Sequence, residues 1–221
     1  MTYCVGFLVR AGLVMMADTR TNAGVDNVST YRKLRLHGND GTRLIVTASA
    51  GSLSTTQDAV QRLQQGVPNP ETGALDSFET VTSIYDAALA AGRAIRAARD
   101  GMDSLQQGQI SFDATLLVGG SVGGEPLRLF LVYPAGNCIE CGPDTPYLQI
   151  GENKYGKPIL DRALDYDTDL YDAVKIGLIS FSSTMRSNLA VGLPIDVVTL
   201  RTGSCAPELV HRIEADDEYY R

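Results

Sequence analysis

The order of the predicted secondary-structure elements limits the folds open to this chain. Apolar runs and turn residues predict a block of strands, two helices, a second block of strands, two further helices and a last strand. Strand blocks separated by helix pairs favour two packed antiparallel sheets with helices outside, an α+β fold with a four-layer αββα sandwich. Alternating βαβ units are absent, so a doubly wound parallel sheet is disfavoured. The predicted strands cover residues 3–9, 13–17, 33–36, 43–48, 111–118, 127–133, 136–141, 146–150 and 195–201.

Helix signals occupy the intervals between these strands. The capping-box pattern Ser54-x-x-Gln57 predicts the start of one helix, and Asp76-x-x-Glu79 predicts the start of a second that ends at Asp100-Gly101. Two later helices are expected over residues 157–164 and 170–185. The 221 residues contain no repeat and no long linker. We therefore expect a single domain over residues 1–221.

Composition excludes several classes of function. The net charge of −7 disfavours nucleic acid and anionic membranes as partners, and no run approaches the roughly 18 apolar residues of a membrane helix. The first residues lack the basic and apolar regions of a signal peptide. Four irregularly spaced cysteines do not form a disulfide framework in a chain of this length. These features predict a cytoplasmic protein.

Two motifs suggest chemistry that their surroundings do not support. The G-x-S-x-G match around Ser121 is typical of a nucleophile elbow, but an elbow needs a helix after the serine and here a strand is predicted. The pair Cys138 and Cys141 has C-x-x-C spacing, but neither a second ligand pair for zinc nor a following helix for redox chemistry is present. With only two histidines, His37 and His211, a histidine-based triad is also disfavoured. We expect neither a metal nor a cofactor.

The N-terminus offers a nucleophile that needs no histidine. Removal of Met1 is expected before a small residue, and it would leave Thr2 with a hydroxyl and a free α-amine. An α-amine has a pKa of about 7.7–8.0, so near neutral pH part of it is uncharged and can accept a proton. Such an amine can act as the base for the hydroxyl of its own residue.

Two charged residues further along the chain can support this nucleophile. Asp18 ends the second predicted strand, and Lys33 begins the next strand after a polar loop. An antiparallel arrangement can bring both to the end of the sheet where Thr2 lies. A lysine ammonium would stabilise the threonine alkoxide, and a carboxylate would hold the ammonium in place. The alternative is an ordinary salt bridge between strand ends.

These residues belong to longer stretches that resemble one family. The chain is similar to N-terminal-nucleophile hydrolases of the proteasome β-subunit type, in particular to the bacterial Anbu (ancestral beta subunit) family. The stretches that carry the resemblance are Thr2-Tyr3-Cys4-Val5-Gly6, Ala17-Asp18-Thr19-Arg20-Thr21-Asn22-Ala23-Gly24-Val25-Asp26, Ser29-Thr30-Tyr31-Arg32-Lys33, Ile150-Gly151-Glu152, Lys154-Tyr155-Gly156-Lys157-Pro158, Ser183-Thr184-Met185-Arg186-Ser187-Asn188 and Val191-Gly192-Leu193-Pro194-Ile195-Asp196.

The resemblance implies a role for each of six residues. Thr2 would be the nucleophile, Asp18 and Lys33 the supporting pair, and the Gly51 backbone N–H an oxyanion-hole donor. Asn22 would pair with the substrate backbone, and Ser49 would line the pocket for the residue before the scissile bond. The implied reaction is peptide-bond hydrolysis through a threonine acyl-enzyme.

Apart from an Asp18-to-Lys33 interval that is one residue shorter, the chain departs from active proteasome β-subunits at two places. Gly151-Glu152-Asn153 stands where those subunits carry Gly-Ser-Gly before the third helix. Asn188 and Val191-Gly192 stand where they carry an Asp and a Ser-Gly after the fourth helix. The replaced groups help to orient the N-terminal amine and its water, and Glu152 is a candidate to replace them in part.

The preferred hypothesis is therefore a proteasome-like threonine peptidase in a self-compartmentalising homo-oligomer, either a ring or an open helical ring. Its expected partners are a peptide or unfolded-protein substrate and further copies of the chain, while an unfoldase partner is left open. A second hypothesis is an amidohydrolase of small amides. A third is an assembly or binding protein whose site is catalytically weak.

Overall fold

The computed structural model describes residues 1–22, 28–102 and 111–218, with the backbone alone given for Asn22 and Val28. The helices within these ranges are α1 (Leu53–Gln65), α2 (Ile84–Met102), α3 (Lys157–Ala163) and α4 (Leu170–Ser187). The strands are β1 (Tyr3–Val9), β2 (Gly12–Asp18), β3 (Arg20–Asn22), β4 (Val28–Thr30), β5 (Leu34–His37), β6 (Arg43–Gly51), β7 (Val67–Pro68), β8 (Leu75–Asp76), β9 (Ala114–Val122), β10 (Arg128–Val132), β11 (Cys138–Glu140), β12 (Tyr147–Gly151), β13 (Ile195–Arg201) and β14 (Leu209–Ile213).

Most of these strands form two antiparallel five-stranded sheets. The first sheet has the order β12-β1-β2-β13-β14, and the second has the order β11-β10-β9-β6-β5. Two small ribbons, β3-β4 and β7-β8, lie outside the sheets. In the first sheet, Cys4 pairs with Ala17 across β1 and β2, and Tyr3 pairs with Gly151 across β1 and β12. This register brings the start of β1 beside the ends of both neighbouring strands.

Buried side chains of the described residues form three apolar cores that hold the layers together. Alanines on one face of α2 pack on the outer face of the second sheet, and side chains of α4 such as Phe181 pack on the outer face of the first. Met15 from the first sheet and Leu129 from the second belong to a third core, which lies between the sheets. The helices α1 and α2 contact each other, as do α3 and α4. The mixed content agrees with the predicted α+β class, and the predicted order of strand blocks and helix pairs is confirmed.

The predicted starts of the first two helices are wrong, for a local reason in each case. Helix α1 is capped by Ser52, whose Oγ accepts from the Thr55 N–H over 3.4 Å, so the capping box at Ser54 is not used. Helix α2 begins at Ile84 rather than near Asp76, because Asp76 belongs to β8. In β8 the Asp76 carboxylate accepts a hydrogen bond from Arg93 of α2, which ties the ribbon β7-β8 to that helix.

One structural feature bears on the membrane expectation. Among the helices in the described ranges, none combines the length and the apolar character needed to cross a bilayer.

Candidate active site

A buried ion pair lies at the centre of the candidate site. The Lys33 ammonium donates from Nζ to Asp18 Oδ1 over 2.7 Å, and Asp18 is fully buried while Lys33 is 6% exposed. The same ammonium donates to the Arg20 carbonyl oxygen over 2.6 Å. Since an ammonium has three hydrogens, one is left to point toward a third acceptor. The two predicted supporting residues are therefore in direct contact.

Burial and hydrogen bonding act in opposite directions on Asp18. Burial raises the pKa of this carboxyl above its ordinary value, while the Lys33 ammonium and the Tyr3 backbone N–H, which donates to Oδ1 over 3.0 Å, oppose that rise. Desolvation is the larger effect. The carboxylate in this position therefore depends on Lys33 for its charge.

Backbone hydrogen bonds hold Thr2 from both sides. Its carbonyl oxygen accepts from the Glu152 N–H over 2.7 Å, and the next N–H along the chain, that of Tyr3, is bound to Asp18. Gly151 allows this close approach: it has φ +83°, and a Cβ at its position would lie 2.0 Å from the Thr2 carbonyl oxygen. A larger residue there would push Thr2 away from the ion pair.

The end of β6 forms the opposite wall of the site. The Ser49 N–H donates to the Lys33 carbonyl oxygen over 3.2 Å, and the Cys4 thiol donates to the Ser49 carbonyl oxygen over 3.5 Å. Two residues further on, Gly51 has φ +101°, and a Cβ there would lie 2.3 Å from the Asp113 carbonyl oxygen. Only glycine fits this turn without displacing the backbone.

One cleft joins these elements. It offers about 20 Å³ to solvent, which is room for one water molecule. Four of the six predicted residues line it, and Asp18 lies behind Lys33. Asn22 ends β3, but its side chain lies outside the described part of the structure. The cleft is lined by Thr2, Thr21, Tyr31, Lys33, Ser49, Ala50, Gly51, Leu53 and Thr56.

Sequence reasoning missed several residues that line this cleft. Thr21 lies within β3 and Tyr31 directly follows β4, while Leu53 and Thr56 come from the first turns of α1. The Tyr31 hydroxyl accepts from Arg35 Nη2 over 2.7 Å, which fixes the ring against the start of β5. Strands of three residues carry too little periodicity to be predicted, so only their closeness to Asp18 and Lys33 along the chain pointed to this region.

The chain has close relatives among solved structures. No protein-family profile and no curated protein matches the chain. Among solved structures, Anbu (ancestral beta-subunit) from Yersinia bercovieri is 47% identical with a TM-score of 0.88, and the match covers 99% of this chain and 89% of that one. The chain belongs to the Anbu family.

Two other Anbu structures extend the match. The Anbu (Gly-1) mutant from Hyphomicrobium sp. strain MC1 is 44% identical, with a TM-score of 0.89 over 100% of this chain and 90% of that one. The helical assembly of the Anbu complex from Pseudomonas aeruginosa is 42% identical, with a TM-score of 0.86 over 99% of this chain and 89% of that one. The family resemblance predicted from the sequence is therefore confirmed.

In this Anbu chain, the two departures from the proteasome pattern meet beside Thr2. The Asn188 side-chain amide donates from Nδ2 to Glu152 Oε2 over 3.0 Å, and the Lys154 N–H donates to Oε1 over 3.2 Å. Glu152 is 8% exposed, and its own N–H is the donor to the Thr2 carbonyl oxygen. The replaced positions are thus neighbours in space.

The two other motifs remain outside the cleft. Ser121 lies within β9 and donates to the Glu125 carbonyl oxygen over 2.6 Å, so no nucleophile elbow forms around it. Cys138 and Cys141 are unpaired, and burial raises the pKa of the Cys141 thiol to about 12. Across the described ranges, no three His, Cys, Asp or Glu residues cluster in a way that could hold a metal ion.

Proposed function

We propose that this Anbu-family chain is a threonine peptidase of the proteasome type, in which Thr2 becomes the nucleophile after Met1 is removed. The observation that carries the proposal is the shared cleft of Thr2, Lys33 and Gly51, with Asp18 bound behind the lysine. Thr2 is held there by a backbone hydrogen bond from Glu152, directly after β12, and, through the Tyr3 N–H, by Asp18. Preorganisation of this kind is what nucleophilic catalysis requires.

The proposed reaction uses the α-amine of Thr2 as its base. The amine takes the hydroxyl proton as Oγ1 attacks the peptide carbonyl carbon, and the third Lys33 hydrogen stabilises the developing alkoxide. The oxyanion of the tetrahedral intermediate accepts from the Gly51 N–H. The protonated α-amine of Thr2 then gives its proton to the leaving amine of the substrate. The intermediate collapses to an ester between Thr2 Oγ1 and the substrate carbonyl carbon. Water, deprotonated by the same amine, hydrolyses that ester and regenerates the threonine.

The remaining parts of the site and fold belong to the same proposal. Ser49 would line the pocket for the residue before the scissile bond, and Asn22 would pair with the substrate backbone. The chain would form one domain, the four-layer sandwich of N-terminal-nucleophile hydrolases. The three cores, one between the sheets and one beneath each helix pair, support this architecture.

The proposed working form is a cytoplasmic homo-oligomer that encloses its active sites. The helical assembly named for the Pseudomonas aeruginosa relative supports a homo-oligomer. The four unpaired cysteines favour a reducing compartment. The proposed substrates are peptides or unfolded proteins, which would reach the sites from within the assembly.

Mass spectrometry and covalent labelling test the nucleophile. Intact mass should show loss of Met1, and a threonine-directed electrophile should add one label per chain, on Thr2. Thr2→Ala should abolish both labelling and peptide cleavage. Thr21→Ala is the matched control, because Thr21 lines the same cleft and its hydroxyl has no hydrogen-bond partner in the described residues. Equal labelling of Thr2→Ala and wild type would overturn the assignment.

The small volume of the cleft favours a second candidate, hydrolysis of small amides by the same threonine. The centre of a water molecule can occupy only about 20 Å³ of the cleft, so a small amide fits with less movement of the walls than a large side chain requires. Cleavage of small amides by wild type but not by Thr2→Ala, with no cleavage of peptides or unfolded protein, would select this candidate over the peptidase.

A further inference from the structure

Glu152 is a buried carboxylate that lacks a cationic partner within the described residues. Its side chain accepts from the Asn188 amide and the Lys154 backbone N–H, both uncharged donors, and only 8% of the residue is exposed. Among the described Lys, Arg and His side chains, none forms an ion pair with it. Buried carboxylates are ordinarily paired with a cation, because desolvation penalises an isolated charge.

Removal of Met1 would create a cation beside this carboxylate. The Thr2 nitrogen, an amide in the full chain, becomes an α-amine that carries a positive charge when protonated. It belongs to the residue whose carbonyl oxygen accepts from the Glu152 N–H over 2.7 Å. Continuing the β1–β12 register by one pair from Tyr3 and Gly151 sets Thr2 opposite Glu152.

We propose that the Glu152 carboxylate is the counter-charge of the Thr2 α-amine, and that Asn188 positions it for that contact. The inference rests on the proposed function only in requiring that Met1 is removed. Asn188 follows α4 and accepts at Oδ1 from the Ala190 N–H over 3.0 Å, which fixes the direction in which its amide points. Helix α4 is thereby linked through Glu152 to the chemistry at Thr2.

Pairing with the Glu152 carboxylate would change the pH at which the Thr2 α-amine can act as a base. A nearby carboxylate favours the charged ammonium, so it raises the pH needed to make the amine neutral. The other charged groups near Thr2 are Lys33, which lines the same cleft, and Asp18, which balances the charge of Lys33. Glu152 therefore orients the amine but delays its action as a base, and the acid limb of the activity profile moves to higher pH.

Titration of the amine tests the proposal without relying on catalysis. The full chain from Thr2 onward is released from a cleavable N-terminal fusion, so the amine is present whether or not cells remove Met1. Trace acetic anhydride is applied between pH 5 and 10, and acetylation of the N-terminal peptide is quantified by mass spectrometry. The wild-type midpoint should lie above the ordinary value of about 7.7–8.0. Glu152→Gln, which keeps the shape and removes the charge, should lower it by about one pH unit.

Two further variants complete the test. Glu71→Gln removes one charge at an exposed surface position and should leave the midpoint unchanged. Asn188→Leu should lower the midpoint by a smaller amount, because the carboxylate remains but loses its donor. Equal midpoints for wild type and Glu152→Gln, with unchanged thermal unfolding, would overturn the proposal. Lack of peptidase activity would instead count against the proposed function and would leave the titration interpretable.

Discussion

Lys33 and Asp18 link the two sheets through one buried hydrogen bond of 2.7 Å, since Asp18 ends β2 of the first sheet and Lys33 precedes β5 of the second. The pair thus has a structural as well as a proposed catalytic role. Each partner neutralises the other, so that neither the ammonium nor the carboxylate is buried as an isolated charge. The separation of these two roles is open to experiment.

Lys33→Met should both inactivate and destabilise the protein. The change leaves the fully buried Asp18 without its cation, and loss of one partner of a buried pair costs about 3–5 kcal/mol. Denaturant unfolding at fixed protein concentration measures this loss, and peptide hydrolysis measures the activity.

The double variant Lys33→Met with Asp18→Leu separates charge from function. Removing both charges together should recover most of the stability, because no isolated charge is left in the core. Activity should stay absent, since the alkoxide still lacks its ammonium. Activity in the double variant would contradict the proposed role of Lys33.

Gly51→Ala should destabilise more than a glycine substitution at an open turn. The new Cβ would lie 2.3 Å from the Asp113 carbonyl oxygen in addition to the strain of φ +101°. Gly73→Ala is the matched control, because Gly73 has φ +72° and no atom within 4 Å of the added carbon. We expect a cost of about 1 kcal/mol for the control and at least twice that for Gly51→Ala, measured by denaturant unfolding. Equal costs would show that the turn can relax.

Leu53→Glu should change the preference of the cleft for the residue before the scissile bond. Leu53 lines the cleft at the first position of α1, where a carboxylate is favourable to the helix dipole and folding should be retained. Cleavage after Lys or Arg should rise relative to cleavage after small uncharged residues, as measured with a peptide library. Leu53→Met keeps the volume without the charge and should leave the preference unchanged. The same preference in Leu53→Glu would place Leu53 outside the specificity pocket.

His37 should make stability fall on mild acidification. Its ring stacks on Phe78 with centroids 3.8 Å apart, and its Nε2 is 3.0 Å from Thr47 Oγ1. Burial lowers its pKa from 6.5 to about 4. Below pH 6.5 the unfolded chain takes up a proton that the folded chain refuses, so stability decreases as the pH falls toward 4 and the effect ends there.

The His37→Gln variant isolates that contribution. Its stability relative to wild type should rise by up to about 3 kcal/mol between pH 7 and pH 4, as measured by denaturant unfolding at each pH. All other groups titrate in both proteins and cancel in the difference. A difference that does not vary with pH would mean that the folded protein accepts the proton on His37.

The sequence could predict those elements whose structure depends on residues close to them along the chain. The strand at Ile195–Arg201 was predicted with the same bounds because its apolar run is uninterrupted, and α4 was predicted to start at Leu170, directly after its capping Asp169. Thr2, Asp18 and Lys33 could be chosen because Thr2 is exposed by the expected removal of Met1, because Asp18 and Lys33 lie at strand ends, and because the stretches around them resemble one family.

What escaped prediction depends on contacts between distant parts of the chain. The start of α2 was misplaced because Asp76 is held in β8 by Arg93, seventeen residues later. The edge strand β14 was missed because Val210, His211 and Arg212 carry no clear alternation, and pairing with β13 forms it. The contact between Glu152 and Asn188 spans 36 residues and needs the packing of α4.

The hydrogen bonds that hold Thr2 also limit the time during synthesis in which Met1 is easily removed. Met1 is 65% exposed, but the bond that an aminopeptidase must cut lies directly before a residue held by Glu152 and, through Tyr3, by Asp18. An aminopeptidase acts on a flexible, extended N-terminus. The hydrogen bond from Glu152 to Thr2 cannot form until β12 and Glu152 have been synthesised. At about 5–20 residues per second, the ribosome takes roughly 7–30 s to reach that strand. Under the proposed function, molecules that keep Met1 beyond this interval would fold with Thr2 blocked, and the fraction of competent subunits would depend on the rate of Met1 removal relative to the rate of folding.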